Sequence, residues 1–116
     1  MFVNHTGLQL INDFEHEYKD IIYALYPIIS NTEINFVTTE QYLNLDNVPP
    51  IENLENDSFS YSCKRVNNSV VGYVIYSPSI CKPLELSSKE LYSALAHEVG
   101  HIIHYRYRRI MRPIRY

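Results

Sequence analysis

The segment His97-Glu98-Val99-Gly100-His101 sets two imidazoles four residues apart, with a carboxylate directly after the first. On a helix, side chains at that spacing stand one turn apart on the same face, so both rings can reach one metal ion. The glutamate between them can turn towards a metal-bound water and take its proton, while zinc stabilises the hydroxide that remains. Zinc brings the pKa of such a water to about 7, so the nucleophile exists at neutral pH. The HExxH spacing therefore points to hydrolysis, with His97 and His101 as zinc ligands and Glu98 as general base.

These groups need a helix that holds both histidines off the core. Ser87 and Glu90 have capping-box spacing and open a helix expected to run to about Arg109; Pro113 prevents regular extension past residue 112. At about 100° per residue with Leu91 at 0°, Leu95, Val99 and Ile102 fall at about 40°, 80° and 20°, while His97 and His101 fall at about 240° and 280°. Packing by the apolar stripe would present both imidazoles to a cleft. A catalytic zinc site commonly has three protein ligands and one open position. His104, at about 220°, is the local candidate for the third, but it lies roughly 10.5 Å of helical rise from His97, and no glycine follows Gly100 to break the helix. No acidic residue follows Glu98 either. The third ligand is thus upstream, missing, supplied by another chain or lost through truncation. Upstream candidates are Glu85, Glu90, His16 and the acids of the first helix. Cys81 reads better as a small buried thiol than as a ligand.

The remaining pattern is helix, strand, hairpin, helix. Residues 6 to about 29 carry an apolar stripe of Leu8, Ile11, Phe14, Tyr18, Ile22, Leu25 and Ile29, with Thr6 and Gln9 at capping-box spacing and Pro27 expected to end the helix near Tyr26. Glu33 to Thr38 alternates and is rich in branched residues, which predicts a strand. Residues 44–58 are polar and broken by Pro49-Pro50, so they read as a loop with room for one helical turn. Phe59–Val66 and Val70–Tyr76 flank Asn67-Asn68-Ser69, a hairpin signal because asparagine tolerates left-handed backbone angles. Ser77 to Leu86, with Pro78 and Pro83, reads as a connection. The simplest packing is α+β: a small three-stranded sheet, antiparallel or mixed, with the N-terminal and C-terminal helices on one side.

At 116 residues with 46% apolar and 20% charged residues, the chain fits one globular domain. No apolar stretch approaches the roughly 18 residues that span a bilayer, and the N-terminus lacks the basic-then-apolar build of a signal peptide. The expected compartment is therefore the cytoplasm, and Cys63 and Cys81 are expected to be free thiols. Net charge is −3 but uneven: ten of thirteen acids lie in the first 60 residues, and Arg106, Arg108, Arg109, Arg112 and Arg115 crowd the last twelve. Such a basic end can meet nucleic acid or an acidic protein surface, although cations also offset the negative end of a helix dipole.

The stretch LYSALAHEVGHIIH (Leu91–His104) resembles the ImmA/IrrE family of gluzincin-type metallopeptidases, with a looser likeness to small single-domain gluzincins and to NleD-like effector proteases. The resemblance implies a zincin-like fold over residues 1–116, zinc on His97 and His101, Glu98 as general base, and a cytosolic protease acting on protein or peptide substrates. In that family the third ligand is a glutamate on the next helix. This sequence stops twelve residues after His104, so the domain is a candidate for lacking that helix. In zincins the strand beside the active helix is a free edge that aligns extended substrate. Val70–Tyr76 is the candidate here, with Val70, Gly72 and Val74 as substrate-binding positions through strand addition. Tyr73, Tyr76 and Tyr105 are candidates to donate a hydrogen bond to a tetrahedral oxyanion. The competing readings are a non-cleaving zincin-like module, acting as inhibitor, antirepressor or adaptor, and an incomplete catalytic fragment.

Overall fold

A computed structural model of the chain describes residues 1–111, with side-chain environments as far as Arg108. Strand β1 (Phe2–Asn4) leads into helix α1 (Gln9–Leu25), a 3₁₀ turn (Pro27–Asn31) and strand β2 (Glu33–Thr38). A short helix α2 (Thr39–Leu43) and a loop containing a second 3₁₀ turn (Leu54–Asn56) follow. Strands β3 (Phe59–Val66) and β4 (Ser69–Tyr76) form the hairpin, α3 (Pro78–Leu84) connects, and α4 (Ser88–Met111) carries the HExxH motif.

The class is α+β as expected, but the sheet has four strands in the order β1-β2-β4-β3. The extra strand, β1, has only three residues, too few to show a period. It pairs parallel to β2, which in turn pairs parallel to β4; only β3 and β4 are antiparallel, so the sheet is mixed. The free edge next to β4 is therefore β3. Strand β4 lies inside the sheet with a ladder on each side, which corrects the expectation that Val70–Tyr76 is an edge. Gly72 and Val74 are paired to both β2 and β3, and Val70 to β3. Their backbone groups are committed to the sheet and cannot receive an added strand.

Register sorts the side chains into two faces. On one, Phe2, Ile34, Gly72 and Cys63 form one row, and Asn4, Phe36, Val74 and Tyr61 the next. Here α1 and α4 pack, with Ile11, Phe14, Leu95, Val99 and Ile102 buried against Phe36 and Val74. The apolar stripe foreseen on α4 is thus the one that faces the sheet. On the other face, Val37, Tyr73 and Ile75 meet Tyr42 of α2 and Leu54 of the long loop. The Tyr42 hydroxyl donates to the Pro49 carbonyl at 2.5 Å and lies 2.8 Å from Ser62 Oγ, which anchors that loop across the sheet. Helices therefore cover both faces, not one.

The local signals act largely where they were read. Ser87 Oγ accepts from Glu90 N–H, and a Glu90 carboxylate oxygen accepts from Ser87 N–H, closing the capping box before α4. Helix α1 ends at Leu25 with Tyr26 as its C-cap, and Pro27 comes directly after the cap. The hairpin turns on Asn67-Asn68, with Asn67 at φ 58°. At the start of α1 the capping box does not form. Thr6 Oγ1 instead accepts from Leu8 N–H, Gly7 takes φ 71°, and the helix begins at Gln9, three residues later than expected. The Ser77–Leu86 connection is itself mostly helical, with Glu85 closing α3 in the left-handed region at φ 50°.

One close approach fixes the seat of α4. A Cβ built on Gly72 would lie 2.8 Å from Ile102 Cγ2 and 2.9 Å from its Cδ1. Gly72→Ala is expected to destabilise the fold by about 1–3 kcal/mol through overpacking. Because Ile102 is the obstacle, the same substitution in an Ile102→Ala background should cost clearly less. Urea denaturation of the four proteins in this cycle measures the difference; equal cost in both backgrounds would show that α4 is not seated on Gly72.

Candidate metal centre

Rotation of α4 is set by its buried stripe, and the motif follows. Leu95, Val99 and Ile102 are each at most 1% exposed. His97 is left exposed and His101 half-buried along the side of the helix that borders β3. Their Nε2 atoms are 3.0 Å apart and the rings stand nearly perpendicular, at 89°. Two nitrogens bound to one tetrahedral zinc at about 2.05 Å would stand roughly 3.3 Å apart. The imidazole pair is therefore within a few tenths of an ångström of the spacing a shared ion requires.

Glu98 lies at about 340° on the wheel used above, beside Leu91 and Ile102 at the edge of the apolar arc. That position explains why it is only 7% exposed while the neighbouring His97 is open to solvent. Ligating atoms of His97, Glu98 and His101 all lie within 4.8 Å of one another. They are the only group of three or more His, Cys, Asp or Glu side chains among the described residues with geometry to hold an ion. Burial raises the carboxyl pKa of Glu98 above its ordinary value; His101 and then His97 oppose this as nearby potential cations, and Asp57 adds to it.

The sequence did not single out Tyr61. From β3 it lays its ring flat on His101, with centroids 4.5 Å apart and planes 8° from parallel. Alternation along Phe59–Val66 puts residues 59, 61 and 63 on the helix-bearing face, and this was the available signal. Asp57, just before β3, is the other neighbour missed, and nothing in its sequence surroundings marks it.

The other candidates divide clearly. His104 stays outside the group, lining a recess of about 80 Å³ with Tyr61, His101, Tyr105 and Arg108. This agrees with the one-sided rise along a continuous helix. Glu90 is engaged in the cap of α4, and neither Glu85 nor His16 joins the His97–Glu98–His101 group. Cys81 is buried, with its thiol directed at the Ser58 carbonyl at 3.8 Å. Both cysteines are free, and burial pushes the Cys63 thiol up to about 12, so it stays protonated and unreactive. Tyr73 projects to the opposite face of the sheet, and Tyr76 packs on Phe59 near α3; of the three tyrosines proposed for an oxyanion, only Tyr105 lies beside His101. Among the arginines, Arg108 borders the recess, whereas Arg112, Arg115 and the Arg109 side chain lie outside the described residues. No helix among the described residues is long and apolar enough to cross a membrane.

No protein-family model, no curated protein and no solved structure matches the chain. The functional reading therefore rests on the site itself.

The raised pKa of Glu98 has a defined consequence for stability. Below the ordinary glutamate range both folded and unfolded chains carry the proton, and burial costs nothing. As pH rises through the unfolded value the unfolded chain ionises first, so stability falls until the folded value is passed and stays lowered above it. Metal-free Glu98→Gln protein is therefore expected to be more stable than wild type at neutral pH, with the gap closing as pH drops below the glutamate range. Urea denaturation with chelator across that range tests this; a gap independent of pH would remove the burial argument.

Proposed function

We propose that the chain is a zinc-dependent peptidase that hydrolyses peptide bonds in protein substrates, with His97 and His101 holding the ion and Glu98 acting as general base. The observation that carries this reading is the pair of Nε2 atoms 3.0 Å apart, open to solvent, beside a buried carboxylate within 4.8 Å. The donor set suits zinc: two neutral imidazoles are borderline ligands that bind it well. Bound zinc would polarise the substrate carbonyl and bring the pKa of a coordinated water near neutrality.

The rest of the chemistry falls to the chain. Glu98 has its carboxylate held in a low-dielectric pocket, where a raised pKa brings its basicity closer to neutral pH and improves it as a proton acceptor. The same group can then deliver the proton to the leaving amine. Tyr61 holds the His101 ring in one plane, which limits the orientations its Nε2 can sample. Strand β3, the sheet edge beneath α4, supports the role first given to β4: an extended peptide can add to its unpaired backbone groups and run past the imidazoles. Tyr105, beside His101, is the tyrosine best placed to donate to an oxyanion.

A second reading is a metal-binding module that does not cleave. It is favoured by the absence, among the described residues, of a third protein ligand beyond Glu98 itself. If Glu98 completes the coordination, it cannot also serve as base.

One experiment separates the two. Wild type should bind one zinc per chain and cleave an unstructured protein substrate. Glu98→Gln should keep the zinc and lose cleavage by a factor of about 10² or more, the scale of a lost general base. His97→Ala should weaken zinc binding by at least about tenfold as one of few ligands is removed. Zinc bound without cleavage, and lost in Glu98→Gln, would establish the module; no zinc in wild type would exclude both readings.

A further inference from the structure

A second site faces away from the imidazoles, on the far side of the sheet. A pocket of about 480 Å³ opens there between β2, β4 and α2, within the range of small-molecule sites. Its floor is the row Asn35 and Tyr73, with Val37 at one end, Glu33 at the other, and His5 and Leu45 as walls.

The floor breaks the pattern of the strand that builds it. Strand β2 is flanked by β1 and β4, and its neighbours on this face, Val71, Tyr73 and Ile75, are all packed in the second core. Val37 obeys that pattern, whereas Glu33 and Asn35 do not. Asn35 is only 5% exposed, so its amide must be satisfied within the protein. Its Nδ2 donates to Glu33 Oε2 at 2.9 Å, and because a carboxylate only accepts, this fixes which way the amide lies. Its Oδ1 then faces His5 Nε2 at 2.7 Å and must accept, so His5 carries its proton on Nε2. The result is a chain of donors running from His5 through Asn35 to the Glu33 carboxylate. Among the described residues no donor reaches the other oxygen of Glu33. The Met1 ammonium feels the charge of Glu33, but it donates to the carbonyls of Ile29, Ser30 and Thr32.

The walls are held in place independently. Thr38 and Gln41 form a capping box that starts α2, and Gln41 Nε2 also donates to the His5 carbonyl at 2.7 Å, tying α2 to the segment after β1. Beside this fixed polar end lies an apolar one: Val37 and Tyr73 are buried, while Leu45 remains 40% exposed with nothing over it among the described residues. Among the described residues lining the pocket, Glu33 supplies the only carboxylate, and no lysine or arginine is present.

We propose that this pocket binds a small organic cation, a primary ammonium on a short apolar stem, with the ammonium at the Glu33 carboxylate and the stem against Val37, Leu45 and Tyr73. The assignment is independent of the metal centre, which lies on the opposite face.

The probe is n-butylammonium, followed by NMR on the full chain, with n-butanol and n-butyrate as neutral and anionic counterparts of the same length. Saturable shifts of the His5 and Tyr73 ring protons with butylammonium, clearly weaker with butanol and absent with butyrate, are expected. Glu33→Gln should weaken butylammonium binding about tenfold or more, as loss of a charge-assisted hydrogen bond does. His97→Ala should leave binding unchanged, so the two sites stand or fall separately. No saturable shift, butyrate binding as well as butylammonium, or unchanged binding in Glu33→Gln would each overturn the proposal. The comparison of three probes on wild type decides the matter even if the Glu33 variant fails to fold.

Discussion

Helix α4 can bury Leu95, Val99 and Ile102 only by lying on the sheet in one rotation about its axis. Full burial of side chains this size contributes about 1.5–3 kcal/mol each, more than any exposed contact on the other side of the helix could offset. Gly72 sharpens the constraint, since it lets Ile102 come closer to β4 than any other residue there would allow. Once that rotation is set, His97 and His101 have no choice of direction. They project over the border with β3, where Tyr61 stacks on the second ring, and Glu98 is carried to the edge of the apolar arc, between them and the core. The electrostatics of the centre is thus a by-product of hydrophobic packing. A carboxylate that would be an ordinary surface acid one position earlier becomes a desolvated one.

The sheet order supplies the second half of the arrangement. By pairing parallel to β2 on one side and antiparallel to β3 on the other, β4 becomes a rigid interior strand, and the imidazoles are mounted over a strand that still has unpaired backbone. A rigid floor under the two imidazoles and an open edge beside them would suit the positioning of an extended chain. Tyr61 joins the two, being part of the edge strand and stacked on the His101 ring.

Much of this was legible in the sequence, and the limits have physical reasons. The helical period of α4 was strong enough to give both the buried stripe and the outward histidines, because many residues contributed to one signal. The hairpin was equally clear, with alternation on both sides of two asparagines. Strand β1 was invisible because three residues carry no period. The mistaken edge has another cause: β2 and β3 were both readable as strands, but their pairing on either side of β4 is a tertiary arrangement that alternation does not encode. Thr6 had the spacing of a cap but used its hydroxyl in a tighter turn around Gly7, an option open to threonine wherever a glycine follows. Alternation put Tyr61 on the helix-bearing face without marking its contact with His101, and Asp57 reaches the centre across a tertiary approach that no local pattern encodes. The polar residues of β2 were readable as a strand but not as a pocket, since their partner His5 lies thirty residues away.

Strand β4 serves both faces by strict alternation: Gly72 receives Ile102 beneath α4, and Tyr73, the next residue, forms part of the floor on the other side. Two sites that never touch are therefore written into one reading frame of side chains. Lengthening or shortening this strand by a single residue would exchange its faces, pressing a tyrosine ring into the gap meant for an isoleucine and opening a hole where the ring had been. Changes of length at this point of the chain are closed to drift, and the molecule can vary its two surfaces only by substitution.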